Sequence, residues 1–143
     1  MLPRTKLTIS TAIIHCSATP NGRFHNIIDI DRWHGPDREK QGKTPFRRRD
    51  KFVEVHQPHL KHVGYHYVIR TDGVIELGRA IQEVGAHALH WNTYSIGICL
   101  IGLDKFTPAQ WTSLKTLVVA LQQTLPRLHR IIGHRDVASY KLC

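Results

Sequence analysis

The feature that most constrains the fold is the apolar run from Ser95 to Gly102, which contains no charged side chain. A strand that buries only one face alternates apolar and polar residues, whereas a continuous apolar run is typical of a strand buried on both faces. A sheet that contains such a strand needs a covering layer on each side. The sequence therefore predicts a sheet with helices packed on its faces.

Other strands are predicted on both sides of this run. Thr11 to His15 is a short apolar stretch that reads as a first strand. Tyr65 to Arg70 and Val74 to Leu77 flank the turn sequence Thr71-Asp72-Gly73, which is a strong hairpin signal. Ile131-Ile132 predicts the last strand.

Two helices are predicted between the strands. Ile27, Ile30 and Trp33 recur at helical spacing, which indicates a short amphipathic helix. Thr107 followed by Pro108 reads as an N-cap and first helical residue of a second helix that runs to about Leu125. Strands and helices alternate irregularly, so we expect an α/β fold. Residues 1–143 would form a single domain with a central mixed β-sheet flanked by helices.

Two histidines and one cysteine have the character of metal ligands. His15 and His134 each follow an apolar run, so neighbouring strands would bring both imidazoles to one edge of the sheet. Cys16 should point to the opposite face from His15, and Cys99 lies inside the buried run, which leaves Cys143. These ligand types suit zinc. Three protein ligands leave a fourth position for water, as in a catalytic zinc site.

The composition is that of a globular chain with an excess of positive charge. Of 143 residues, 41% are hydrophobic and 22% charged, and the net charge is +9. No apolar run approaches the roughly 20 residues that span a bilayer, and no secretory signal is visible. Three cysteines are too few for a disulfide framework. We expect a monomer that is cytoplasmic on synthesis, without membrane insertion.

Much of the positive charge lies in one segment, at about residues 35–62. Between Gly35 and His62 there are eight Lys or Arg residues and four Asp or Glu residues, including Arg47-Arg48-Arg49. The segment also contains three prolines, which predicts a long irregular loop. Two interpretations stay open. The loop either borders a groove and attracts a polyanion, or it is an ordinary solvated surface.

Eight short stretches in collinear order give the chain a family resemblance. It resembles the type 2 N-acetylmuramoyl-L-alanine amidases, which include phage lysozyme-amidases and peptidoglycan recognition proteins. The matching stretches are Ile14–Thr19, Arg32–His34, Val63–Tyr67 with Arg70–Gly73, Gly78-Arg79, Val84–Ala88, Asn92 with Ser95–Ile98, Phe106–Gln110 and Gly133-His134. They span nearly the whole chain apart from the basic segment.

The resemblance implies a zinc hydrolase that acts on peptidoglycan. It would cut the amide between the lactyl group of N-acetylmuramic acid and the first L-alanine of the stem peptide, as a phage or prophage endolysin does after release. The implied zinc ligands are His15, His134 and Cys143, which bind one Zn²⁺ ion. The implied catalytic residues are Tyr65 and Lys141. Candidates for substrate contacts are His87, Trp91 and Arg79.

Three alternatives accompany this hypothesis. The first is a non-catalytic peptidoglycan-binding module, against which the retained zinc and catalytic residues argue. The second is a nucleic-acid-binding protein, which explains the charge but not the zinc ligands, so no specific nucleic acid is expected. The third is a second metal site, because four histidines recur at short spacing, but Pro58 argues against one continuous helix. Those histidines are His56, His59, His62 and His66.

Overall fold

The computed structural model describes residues 4–138, and a five-stranded sheet lies at its centre. Each strand predicted from the sequence is present. In chain order the strands are β1 (Thr11–Cys16), β2 (Tyr67–Ile69), β3 (Ile75–Leu77), β4 (Ser95–Leu100) and β5 (Arg130–Gly133).

The sheet is mixed, as predicted, with the strand order β3-β2-β4-β1-β5. The neighbouring pairs β2–β4, β4–β1 and β1–β5 are parallel, and only the β2–β3 hairpin is antiparallel. Gly73 adopts a positive φ of 85° in the hairpin turn, a conformation that glycine reaches without a steric penalty. Three parallel pairs place the carboxyl ends of β1, β4, β5 and β2 at one edge.

Four α-helices are present in the described part of the chain. They are α1 (Ile27–His34), α2 (Pro36–Lys40), α3 (Asp50–Val55) and α4 (Pro108–Thr124). Helix α4 begins as predicted, because the Thr107 hydroxyl accepts from the Gln110 N–H and the Gln110 side chain accepts from the Thr107 N–H. Across residues 4–138, every helix is too short or too polar to cross a membrane.

The two faces of the sheet bury separate apolar cores. Along β4, Ile96, Ile98 and Leu100 join the core that contains Leu117 and Leu121 of α4. Cys99 and the following Ile101 point to the other face and pack with Ile27 and Ile30 of α1. All six residues of β4 are buried, which confirms the prediction made from its continuous apolar sequence.

A buried arginine joins the basic segment after α1 to the loop that precedes β4. The Arg48 side chain is 0% exposed and makes a two-pronged ion pair with Glu83 at 2.9 Å. Its remaining N–H groups donate to the carbonyl oxygens of His56, Gln57 and Leu60. The prediction of a long irregular loop is therefore corrected. The segment contains α2 and α3, and one of its three consecutive arginines is an internal anchor.

Candidate active site

Two histidines end neighbouring parallel strands and meet at the carboxyl edge of the sheet. The register pairs Ile14 of β1 with Gly133 of β5, so His15 and His134 follow at equivalent positions. Their Nδ1 atoms lie 3.0 Å apart, and the ring centroids are separated by 4.3 Å. The sequence-based expectation that these strands bring the two imidazoles together agrees with this geometry. Ligands of open parallel sheets commonly bind at this edge.

His134 of this pair lines an open groove of about 600 Å³. His134, Tyr65 and His87 line it together with residues of the 86–92 loop. The groove also receives side chains from α1, α2 and the basic segment, namely Trp33, His34, Arg38, Gln41 and Phe46. Among the described lining residues there is no carboxylate, and Arg38 is the only Lys or Arg. The groove therefore favours neutral or anionic ligands.

Tyr65 lies beside His15 on the α1 face of the sheet. The centroids of the two rings are 5.0 Å apart. Burial raises the pKa of the Tyr65 hydroxyl well above its usual value, and the neighbouring Cys99 thiol acts in the same direction. Burial likewise raises the pKa of Cys99 to about 12. Tyr65 is therefore a neutral hydroxyl at neutral pH and can donate a hydrogen bond.

His87 reaches the groove but makes hydrogen bonds within the protein. Its Nδ1 lies 2.8 Å from His15 Nε2, and its Nε2 lies 3.3 Å from the Ser95 hydroxyl. Burial lowers the pKa of His87 well below its usual value, so the ring is neutral. The Asn92 side chain holds the loop by accepting from the backbone N–H groups of His87 and Ala88, both at 2.9 Å. Both ring nitrogens of His87 thus have partners inside the protein.

His34 is a groove residue that the sequence reading did not single out. Its ring contacts Tyr65 and Phe46 at centroid distances of 5.2 and 4.9 Å. The Gly64 N–H donates to His34 Nδ1 at 2.9 Å. Burial, followed by the charges of Arg79 and Arg38, lowers the His34 pKa to about 4. The signal was present in the matching stretch Arg32–His34, but nothing local indicates which way the side chain turns.

Two predicted substrate contacts lie away from the groove lining. The Arg79 guanidinium is buried, donates to the carbonyl oxygens of Val63 and Val84, and pairs with Glu83 at 3.7 Å. Trp91 packs under the guanidinium of Arg130, at 5.2 Å from the ring centroid. Both side chains are therefore engaged in contacts within the protein. The two remaining predicted residues, Lys141 and Cys143, lie outside the described residues.

The four clustered histidines have diverse environments. His66 is buried, accepts from the Gly97 N–H at Nδ1 and contacts the Glu83 carbonyl oxygen at Nε2. His62 contacts the Phe46 carbonyl oxygen. Within residues 4–138, no three His, Cys, Asp or Glu side chains are grouped as a metal site. Cys99 is a free buried thiol, as expected for a residue inside the apolar run of β4.

The family follows from comparison with known proteins. Residues 5–143 match the family described as N-acetylmuramoyl-L-alanine amidase. The endolysin of Enterobacteria phage T3 is 31% identical over 151 residues, which cover 97% of this chain and 86% of that protein. The endolysin of Escherichia phage T7 is 33% identical over 141 residues, which cover 90% and 80%. The chain belongs to the N-acetylmuramoyl-L-alanine amidase family.

Solved structures show that the fold is also similar to that of known proteins. The N-acetylmuramoyl-L-alanine amidase LysC from Clostridium intestinale has a TM-score of 0.65 at 24% identity, with 96% of this chain and 79% of that chain covered. Drosophila PGRP-LB has a TM-score of 0.67 at 24% identity, with coverage of 96% and 78%. The mixed sheet flanked by helices that the sequence pattern predicted is confirmed.

Proposed function

We propose that the protein is a zinc-dependent N-acetylmuramoyl-L-alanine amidase. It hydrolyses the amide between the lactyl group of N-acetylmuramic acid and the first L-alanine of the stem peptide. The observation that carries this proposal is the pair His15 and His134, whose Nδ1 atoms lie 3.0 Å apart at the edge of an open groove. Family membership supports the same reaction.

The histidine pair fits a zinc ion. Two Zn–N bonds of about 2.0–2.1 Å at a tetrahedral angle separate the nitrogens by about 3.3 Å, close to the observed spacing. The third ligand in this proposal is Cys143, assigned from the resemblance alone. Two imidazoles and one thiolate form a ligand set that zinc prefers, and the set leaves one position for water.

The proposed chemistry divides between the metal and the side chains around it. His15, His134 and Cys143 would hold the ion, whose Lewis acidity would activate water and polarise the scissile carbonyl. Tyr65 is neutral and donates a hydrogen bond to the oxygen that becomes negative as the amide is attacked. Lys141, placed by the resemblance, adds a positive charge that stabilises the same oxygen.

The side chains that line the groove are compatible with a peptidoglycan substrate. It offers aromatic surfaces from Trp33 and Phe46 and one cation from Arg38. Peptidoglycan combines sugar rings with a peptide that carries carboxylates, so both kinds of group have a counterpart there. Among the structural neighbours, PGRP-LE is described in complex with tracheal cytotoxin, a monomeric diaminopimelic acid-type peptidoglycan.

The biological role that fits best is that of a phage or prophage endolysin. The T3 and T7 relatives are endolysins and are matched over most of their length. In this proposal the enzyme reaches the cell wall after its release and cuts the wall peptides from the glycan strands. It works as a monomer and needs no nucleic acid.

The test is digestion of purified cell walls in reducing buffer, with and without a chelator and with zinc added back. We expect new L-alanine amino termini, their loss with the chelator and their recovery with zinc. His134→Ala should lose bound zinc and activity. His129→Ala is the matched control, because the side chain of that exposed histidine contacts the Arg127 carbonyl oxygen two residues away.

Tyr65→Phe separates catalysis from metal binding. Removing the hydroxyl should lower kcat by about 100-fold or more while zinc content stays unchanged. Tyr67→Phe, on β2, is the control for loss of a tyrosine hydroxyl outside the groove.

Release of reducing sugar without new amino termini would identify a glycosidase instead. Wall binding without cleavage would support the alternative of a non-catalytic binding module.

A further inference from the structure

We propose that His87 is a positioning residue for the metal site. Together with Ser95 and the carbonyl group of Trp91, it holds His15 in the tautomer whose Nδ1 lone pair faces His134. This inference rests on the proposed zinc-dependent function. It gives His87 a role different from the substrate contact predicted from the sequence.

The direction of the hydrogen-bond chain follows from its last member. The Trp91 carbonyl oxygen only accepts, and the Ser95 hydroxyl lies 2.8 Å from it. The same hydroxyl lies 3.3 Å from His87 Nε2. The shorter distance favours donation of the single Ser95 proton to Trp91. The Ser95 oxygen is then left to accept from His87 Nε2–H.

The same reasoning carries through the two imidazoles. A neutral His87 that is protonated at Nε2 has its lone pair at Nδ1. Because Nδ1 lies 2.8 Å from His15 Nε2, it accepts the proton of His15 at that atom. His15 in turn has its lone pair at Nδ1, the atom that faces His134 Nδ1 at 3.0 Å. A backbone carbonyl thus determines which nitrogen of His15 is available to a metal.

Packing restricts the His87 ring to this orientation. A Cβ atom added to Gly97 of β4 would lie 2.7 Å from the His87 ring, and one added to Gly85 would meet the same ring at 2.7 Å. Two glycines therefore leave the space that the imidazole fills. The Asn92 side chain fixes the backbone of the loop beneath it. The ring therefore fits closely against β4 and its own loop.

A pre-set tautomer should strengthen metal binding. Partners that orient a metal-ligating histidine are typically worth 10–100-fold in metal affinity. Without the His87 acceptor, His15 can populate the tautomer with a proton at Nδ1, and that proton must leave before a metal binds. We therefore expect a change in the zinc Kd, which can be measured without substrate.

The experiment compares two substitutions at one position. His87→Leu fills the space but cannot accept from His15, whereas His87→Asn places an amide oxygen near the former Nδ1 position. We expect His87→Leu to raise the zinc Kd by about 10–100-fold. The zinc Kd of His87→Asn should stay within about threefold of the wild-type value. Competition with a chelator measures these values. His90→Asn, on an exposed residue of the same loop, is the matched control.

A second measurement is made on the metal-free protein. Long-range ¹H–¹⁵N spectra report which nitrogen of His15 carries the proton. Wild type should be protonated at Nε2, and His87→Leu should be a mixture. If that variant does not fold, Ser95→Ala, which removes only the hydroxyl, should produce the same redistribution in weaker form.

The outcomes separate this inference from the proposed function. An unchanged zinc Kd together with an unchanged His15 tautomer in the variants would overturn the role of His87. A wild-type protein that binds no zinc would instead overturn the zinc-dependent function. Even then, the tautomer measurement would still test whether His87 orients His15.

Discussion

At the scale of single residues, desolvation keeps three histidines neutral in the folded protein. Burial lowers the pKa of His34 to about 4 and holds the pKa values of His66 and His87 well below the ordinary range. Each ring makes hydrogen bonds inside the protein. His34 accepts from the Gly64 N–H, His66 accepts from the Gly97 N–H, and His87 is hydrogen-bonded to His15. Their neutrality therefore belongs to the architecture of the site, and protonating them costs stability.

This neutrality predicts how stability depends on pH. The unfolded chain binds more protons than the native state between the lowered pKa values and about 6.5, so the free energy of unfolding should fall as pH decreases through that range. For His34 the shift to about 4 corresponds to about 3 kcal/mol. Urea unfolding at a series of pH values measures the dependence.

One substitution isolates the contribution of His34. His34→Asn keeps an acceptor for the Gly64 N–H but does not titrate, so its stability should depend less on pH than that of wild type. His129→Asn, on an exposed histidine, should leave the dependence unchanged. Parallel curves for wild type and His34→Asn would contradict the assignment.

At the scale of elements, the basic segment depends on Arg48. The buried ion pair with Glu83 joins the segment to the loop that precedes β4, and Phe46 and Arg38 of that segment line the groove. The guanidinium of Arg38 stacks on the Phe46 ring at 4.3 Å and donates to the Thr44 carbonyl oxygen. The anchoring of one residue thus determines the shape of one side of the groove.

Arg48→Met should destabilise the protein by about 3–5 kcal/mol, because it leaves the Glu83 charge buried with only longer contacts to Arg79 and the Ala80 N–H. Arg47→Met is the matched control, because the Arg47 side chain is 80% exposed and its ion pair is worth about 0–1 kcal/mol. Denaturant unfolding measures both. Equal effects of the two substitutions would show that Arg48 is not an anchor.

At the scale of the whole molecule, the net charge of +9 should increase the rate at which the protein associates with the anionic cell wall. Raising salt from about 10 mM to about 150 mM shortens the screening length from about 30 Å to about 8 Å. We expect kcat/KM on whole walls to fall by about tenfold or more over this range. On a small soluble muropeptide it should change little. Equal salt dependence on both substrates would contradict long-range attraction.

Much of the fold was predictable because its signals are local. The apolar run of β4, the turn at Gly73 and the cap at Thr107 each combine residues that are close in the chain. The meeting of His15 and His134 was also predictable, because parallel strands end at a common edge. The sequence does not indicate which arginine of the run Arg47-Arg48-Arg49 is buried. Adjacent identical residues differ there in burial, and only contacts with Glu83, distant in sequence, decide which one is internal.

The sequence by itself determined the sheet, its covering helices, the family and the two histidines at the strand ends. Local propensity and hydrophobic pattern are sufficient for the sheet, its helices and the strand ends, whereas the family follows from the collinear motifs. Only the tertiary structure decided that His87 turns toward His15, that His34 lines the groove and that Arg79 points into the protein. The physical reason is that side-chain direction in loops depends on packing and hydrogen bonds between residues far apart in the chain, which no local pattern encodes.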